Sequence, residues 1–360
     1  MKRGMTMKKA YLVLENGWVF QGCRFGADSD AVGELVFHTG VVGYVETLTD
    51  PGYAGQIVMQ TYPLIGNYGI MEEDFEGKCA ARGYVVREWC DVPSNFRTQY
   101  DLDTFLKNQG VPGLYGVDTR ELTRILREEG TMNAAICDEV PADLTALKDY
   151  RIHDAVKSVT AAALTVCPAE GEERFRVSLV DYGVKRSLIR GLQAMGCTVT
   201  VLPASVTAEE ILADKPDGVV LSAGPGDPAE NAFLAEQVKG LLGKLPIFGV
   251  GLGHQLLALA AGGCTEKLKC GHHGGNQPSR DLVTGRTHIT SQNNNYTVTP
   301  DSVPGGTVRF RNANDGAWEG IDYPALRAFS VQFDPVLSSG SKDANLLFDR
   351  FADLMKGGAL

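Results

Sequence analysis

A chain of 360 residues with 44% hydrophobic and 22% charged side chains has ordinary globular composition, and its length predicts two domains, each with its own core. With 34 basic against 44 acidic residues, the formal net charge of -10 gives no electrostatic support for binding nucleic acid or an anionic membrane. No apolar run reaches the ~20 residues that span a bilayer, the basic start lacks the apolar stretch of a secretion signal, and the eight cysteines follow no regular spacing; together these predict a cytoplasmic protein with reduced thiols.

The first half opens on AYLVLENGWVFQGCRFG (residues 10–26), where Asn16-Gly17 between two apolar runs predicts a β-hairpin. GELVFHTGVVGYVETLTDPGYAGQIVMQTYP continues with short β-rich runs punctuated by Gly and Pro. In GVDTRELTRILREEG, Asp118 is a candidate N-cap, Glu121 completes a capping box and Gly130 ends the helix. This half is mixed α and β, without a regular βαβ rhythm.

Around TAAALTVCPAEGEERF (160–175) the pattern weakens and turns polar, which predicts a first domain over 1–155, a linker over 156–174 and a second domain over 175–360. FRVSLVDYG then reads as a buried strand, VKRSLIRGLQAMG as an amphipathic helix closed by Gly196, and CTVTVLPA as a strand. A helix beginning near Thr207 leads to a strand and to the loop Gly224-Pro225-Gly226, and another helix leads to PIFGVGLGHQLLALAAGG (246–263). Nearly all-apolar strands alternating with helices predict an α/β fold whose largely parallel sheet is covered on both faces, with the site at the carboxyl ends of the strands.

The segment 246–263 is a strand, a turn with Gly249, Gly251 and Gly253, and a helix whose Leu256, Leu257, Leu259 and Ala260 share one face. Such a turn can cradle a phosphate on the helix N-terminus. It can equally be a nucleophile elbow, whose apex here is Gly251. No Lys-Ser/Thr pair follows, which disfavours the phosphate loop.

LSAGPGDP, PIFGVGLGHQLLALA, GHHGGNQP and SQNNNYTV together resemble a class I glutamine amidotransferase domain. The first half, through GELVFHTGVVGYVETLTDPGYAGQIVMQTYPLIGNYG and VDTRELTRILREEG, is similar to the small subunit of carbamoyl-phosphate synthetase, and the likeness runs from Ala10 to about Phe351. The resemblance implies an N-terminal mixed α/β domain followed by an amidotransferase-like domain. It further implies a heterodimer with a large subunit that binds ATP and Mg, with no cofactor or metal in this chain, making carbamoyl phosphate for pyrimidine and arginine synthesis. In that family an elbow cysteine attacks the glutamine amide, a histidine activates the thiol, a glutamate orients the histidine, and backbone N–H groups hold the oxyanion.

The chain departs from the family at each of those side chains. Gly251 stands at the cysteine's place, Asp334 at the histidine's and Val336 at the glutamate's. A carboxylate does not reproduce imidazole as base and then acid near neutral pH, and valine accepts no hydrogen bond. Gly52 in TDPGY replaces a glutamine-contacting serine, Ala223 replaces an asparagine, and the last three residues of QNNNY, including Asn295 and Tyr296, differ from the family's Q-N-H-G-F. Gly224, Gly226, Leu252, Gln255 and Asn293 keep the scaffold of the glutamine pocket. An elbow holds a non-glycine apex in a conformation strained by ~1–3 kcal/mol, so glycine relieves the turn once no thiol is needed.

Three other readings stand beside these. Cys264 and the cluster Cys270, His272 and His273 offer a replacement nucleophile or a metal site, although Cys264 reads as a small buried residue and the His-His pair belongs to the family pattern. His254 reads as structural. Arg120, Arg124 and Arg127 form a basic stripe on one helix face, either solvated or a contact with the partner subunit. The expected function is therefore a synthetase small subunit without glutaminase activity; the alternatives are a non-enzymatic, metabolite-binding pseudo-amidotransferase and a glutaminase acting by another route.

Overall fold

The computed structural model describes residues 8–336 and 345–358. It divides into two compact units, one up to His153 together with Lys269–His273, the other Asp154–Leu268 together with the chain from Gly274 onward.

The first unit contains β1 (Lys9–Leu14), β2 (Val19–Gly26), β3 (Ala31–His38), α1 (Tyr44–Leu48), β4 (Gln56–Gln60), β5 (Leu64–Ile65), β6 (Gly83–Val86), β7 (Glu88–Trp89), α2 (Leu102–Gln109), β8 (Pro112–Tyr115), α3 (Thr119–Glu129), β9 (Met132–Cys137) and α4 (Thr145–Lys148). Seven strands close into a barrel in the order β1-β2-β8-β6-β4-β3-β9, and β5 pairs with β7 in a separate two-stranded sheet. The β1–β2 hairpin turns at Asn16-Gly17, where Gly17 has φ +96°, the left-handed geometry the sequence predicts there. Alternation divides the strands' apolar residues: Leu35, Phe37, Ile57, Met59 and Val85 join the apolar face of α3, whereas Val36, Val58, Tyr84 and Val86 join α1 and α2. Asp118 caps α3 by accepting a hydrogen bond from Glu121 N, and Gly130 ends it.

In the second unit lie α5 (Ala155–Val159), β10 (Thr165–Cys167), β11 (Phe175–Asp181), α6 (Arg186–Ala194), β12 (Cys197–Pro203), α7 (Ala208–Asp214), β13 (Gly218–Leu221), α8 (Ala232–Leu241), β14 (Ile247–Val250), α9 (Leu252–Ala260), β15 (Thr265–Asp281), β16 (Thr287–Val298), β17 (Thr307–Asn312), β18 (Trp318–Tyr323), β19 (Ala328–Val331) and α10 (Asn345–Met355). The sheet order is β10-β12-β11-β13-β14-β19-β18-β16-β15-β17. Its centre, β12-β11-β13-β14-β19, is parallel, as the apolar strands predict, and it continues past β19 as an antiparallel extension. Both faces are buried: Val219, Leu221 and Ile247 meet α7, α8 and α9, and Val220, Phe248 and Val250 meet α6 and α10.

Residues 156–174, expected as a linker, belong to the second unit. β10 forms the sheet's edge, Thr160 Oγ1 donates to Asp181 O (2.6 Å), Ala161 N donates to Asp181 Oδ2 (2.7 Å) and Glu170 N to Gln193 O (3.0 Å). A polar, weakly patterned segment can still be bound through its backbone, and that signal is absent from side-chain periodicity. No helix among the described residues is long and apolar enough to cross a membrane.

Candidate functional site

Four parallel strands of the second unit end in loops that carry the residues singled out from the sequence: β11 before Tyr182, β13 before Ser222, β14 before Gly251 and β19 before Gln332. Gly251 stands between β14 and α9 with φ +56° and ψ −112°, a conformation that only glycine adopts without strain. The three alternating glycines answer to different contacts. A Cβ on Gly249 would lie 2.8 Å from Gly253 O, and one on Gly253 would lie 2.2 Å from Leu221 O, so both are demanded by backbone packed against backbone. A Cβ on Gly251 would meet Ala223 Cβ at 2.9 Å and Ala223 Cα at 3.2 Å. The loop after β13 thus occupies the space over the apex.

Three amide groups of this turn are already committed. Gly251 N donates to Val331 O (2.9 Å), Gly253 N to Ser222 O (3.0 Å) and His254 N to Gly251 O (3.1 Å). A phosphate cradle needs such donors pointing outward, and with three of them turned to the backbone the geometry favours an elbow over a phosphate loop.

Around the apex the scaffold is joined by side-chain hydrogen bonds. Gln255 Nε2 donates to Tyr296 O (2.7 Å) and to Gln332 Oε1 (2.9 Å), which ties the helix after the elbow to β16 and to the loop after β19. Asn294 Nδ2 also donates to Tyr296 O (3.0 Å), and Lys267 sits over the Tyr296 ring at 5.9 Å. Asn293 and Asn295 lie on the same strand β16, Asn295 buried and Asn293 half-buried. Ser222 Oγ accepts from Tyr182 N (2.9 Å) and donates to Ala223 O (2.8 Å). Gly224 packs against Tyr182, whose carbonyl a Cβ would approach to 2.3 Å, and Gly226 takes φ +89°. Leu252 is fully buried behind the turn.

Asp334 does not face a partner base. It is ion-paired with Lys185, and both side chains are mostly buried, 11% and 18% exposed. Its Oδ1 accepts from Val336 N (3.0 Å) and its own N donates to Ser291 O (2.9 Å), so the loop is closed on itself. Val336 packs with the apolar cluster under α6 and α10, against Gly191 and Phe348. Sequence reasoning missed Lys185 and Gln332. Lys185 precedes an amphipathic helix like any solvated lysine, and nothing local marks its pairing with a residue 149 positions onward.

His254 is fully buried and shares a 2.8 Å hydrogen bond between Nδ1 and Ser330 Oγ. Burial lowers its pKa from 6.5 to about 4, which keeps it neutral and structural, as the sequence suggests. Cys264 is exposed rather than buried, because the chain enters β15 there at the surface, and burial pushes the Cys270 thiol up, away from thiolate character. No group of three or more His, Cys, Asp and Glu among the described residues could hold a metal ion. Of the basic stripe, Arg124 is held between Glu121 and Glu128 (2.7 Å to the latter) and Arg127 lies over the Phe37 ring.

The family model for the carbamoyl-phosphate synthase small chain, CPSase domain, matches residues 12–136, and that for the class-I glutamine amidotransferase matches residues 178–354. A carbamoyl phosphate synthase small chain from Bacillus caldolyticus is 47% identical over 357 residues, covering 97% of each chain. The pyrimidine-specific small chain of Bacillus subtilis is 46% identical, covering 97% of this chain and 96% of its own. The chain belongs to the carbamoyl phosphate synthase small chain family. A third member, from Syntrophotalea carbinolica, is 46% identical over 368 residues. The small-chain match falls in the barrel unit, and the amidotransferase match, apart from Lys269–His273, in the sheet unit. Gly52 belongs to the barrel unit, in a short 3-10 turn, Pro51–Tyr53, where its N–H donates to Asp50 Oδ1 (2.8 Å).

Proposed function

We propose that this chain is the small subunit of a carbamoyl phosphate synthase that takes its nitrogen from ammonia and does not hydrolyse glutamine. The observation that carries the reading is Gly251 at the apex of an intact elbow. Covalent amide hydrolysis at an elbow begins with a side-chain nucleophile, and there is none at this apex.

The surroundings support the same reading. With a sulfur missing, a general base has no proton to take; Asp334 is in any case engaged by Lys185, and Val336 offers no acceptor to orient a base. Ala223 lies where a side chain on the apex would stand. The scaffold bonds of Gln255 and Ser222 persist, which is what a subunit kept for its shape and its partner requires. The partner in this reading is the large chain of the synthase, which would bind ATP and Mg and make carbamoyl phosphate from bicarbonate and ammonia.

The test is ammonia release from glutamine by the chain mixed with the large chain of the same organism. The expected result is release no faster than in buffer, with no thioester trapped on the protein. Release faster than in buffer would overturn the reading, and its loss on replacing Cys264 or Cys270 by serine would identify a replacement nucleophile.

A further inference from the structure

The antiparallel extension of the sheet unit and the start of α10 enclose a cavity of about 240 Å³. Of the residues that line it only Asp334 belongs to the site described above; Gly251, Gln255 and Tyr296 do not. Phe310 and Phe333 meet edge to face at 5.2 Å on its apolar side, with Leu347 beside them, and Ile289 and Leu346, 53% and 63% exposed, mark its mouth. β17 is irregular at this point: its pairing with β18 shifts register between Val308 and Phe310 and again between Phe310 and Arg311. A regular strand sends consecutive side chains to opposite faces, and here the bulge lets the consecutive Arg309 and Phe310 line one cavity.

Two guanidinium groups are fixed at this cavity. Arg309 lies over the Phe310 ring (5.8 Å) and is held by Asp281, with Nη2 donating to Oδ2 (3.0 Å) and Nε 2.8 Å from Oδ1. Arg350, from α10, lies over the Phe329 ring (4.5 Å) and is paired through Nη2 with Asp322 (2.6 Å), which does not line the cavity. Each group is thus held along one edge and one face. Arg309 Nη1, and Nε and Nη1 of Arg350, have no hydrogen-bond partner among the described residues.

The acids of the lining are engaged. Asp281 also accepts from Val283 N (2.9 Å) and Thr284 Oγ1 (2.9 Å), and Asp334 is taken by Lys185 and by Val336 N (3.0 Å). His288, the remaining titratable group of the lining, stands edge-on to Phe310 (6.4 Å). Arg309, Arg350 and Lys185 balance Asp281, Asp322 and Asp334, and the exposed Arg286 and Asp349 on the flanking turn and helix offset each other. Net charge therefore does not select a ligand here. The free hydrogen-bonding groups do, and the strongest of them are guanidinium N–H donors, which call for an acceptor.

We infer that this cavity binds a small carboxylate with an apolar body, the carboxylate held by Arg309 and Arg350 and the hydrocarbon by Phe310, Phe333 and Leu347. The free edge of a planar guanidinium matches the paired oxygens of a carboxylate. Side chains already fixed lose little entropy on binding. A compact inorganic anion would leave the apolar wall unfilled, and at about 240 Å³ the cavity lies below the ~300–1,000 Å³ of sites for drug-sized molecules, so its ligand is smaller. The inference concerns the chain alone and does not depend on the source of its nitrogen.

The test is titration calorimetry of the full chain with phenylacetate and 4-methylpentanoate, each beside its uncharged amide, and with inorganic phosphate. One saturable site at or below about 1 mM is expected for a carboxylate, with its amide and phosphate at least about tenfold weaker. Arg350→Gln should weaken the carboxylate by about tenfold or more and leave the amide within about twofold. Ile289→Glu, at a residue more than half exposed, sets a negative charge at the mouth; it should weaken the carboxylate likewise while its thermal melt matches the parent's, and it decides the matter if Arg350→Gln does not fold. Absence of saturable carboxylate binding up to about 10 mM would overturn the site. So would amides or phosphate binding as tightly as the carboxylates, or carboxylate binding that the folded variants leave unchanged.

Discussion

Putting a cysteine back at the apex should destabilise the chain without restoring glutamine hydrolysis. At Gly251, φ +56° and ψ −112° would strain any residue with a Cβ by ~1–3 kcal/mol. The Cβ would also stand 2.9 Å from Ala223 Cβ, an overpacking that costs ~1–3 kcal/mol more unless the loop after β13 shifts. Gly251→Cys is therefore expected to lose about 4 kcal/mol, or roughly 8–16 °C in melting temperature for a unit of this size. Adding Ala223→Gly removes the 2.9 Å contact and leaves Ala223's Cα at 3.2 Å, so the double variant should recover the overpacking part and keep the backbone part. Urea unfolding of the two single variants and the double variant forms a cycle, with an expected coupling of ~1–3 kcal/mol in favour of the pair. Ammonia release from glutamine should stay at background in both cysteine variants, since Asp334 remains paired with Lys185. A Gly251→Cys chain as stable as its parent, within about 0.5 kcal/mol, would refute the strain argument. One that hydrolyses glutamine would refute the account of Asp334 and Val336.

The neighbouring glycine is less forgiving: with Leu221 O only 2.2 Å from the added Cβ, Gly253→Ala should lower stability more than Gly251→Ala does, which unfolding of the two variants side by side will check. Buried His254 has a folded pKa of about 4, below its unfolded value of 6.5, so the unfolded chain binds the extra proton between them. Its contribution is therefore lost as pH falls from about 6.5 towards 4, costing ~2 kcal/mol by pH 5, and His254→Asn should remove that part of the pH slope of unfolding. Lys185→Met strands Asp334 in a mostly buried place and should cost ~1–3 kcal/mol, while Lys185→Met with Asp334→Leu should recover much of it; additive losses would contradict the pairing.

What could be read from the sequence follows from where the information lies. Alternation and helical spacing are local, so the apolar strands β11 to β14, the capped helix after Asp118 and the Asn16-Gly17 hairpin were legible residue by residue. Closure of seven strands into a barrel depends on pairings such as β2 with β8, far apart in sequence, and no local pattern reports them. The same holds at the site. Gly251 at the apex is visible in a short motif, and the positive φ agrees with the glycine. The filling of its space by Ala223, the Lys185–Asp334 pair and the Gln255–Gln332 bond join segments that only the fold brings together. The polar stretch 156–174 reads as a linker because much of its attachment is through backbone groups, which every sequence carries alike, and the few side chains that hold it, such as Val156 and Thr160, are too widely spaced to form a pattern.

The central claim is tested most directly by the source of the nitrogen in the product. The chain and the large chain of the same organism would be supplied with ATP, bicarbonate and either amide-labelled glutamine or labelled ammonium, and the carbamoyl phosphate formed would be examined for the label. Label from ammonium alone, in an amount raised by adding this chain, is the predicted result. Label arriving from the glutamine amide would contradict it, because an elbow whose apex is Gly251 has no nucleophile with which to release that nitrogen.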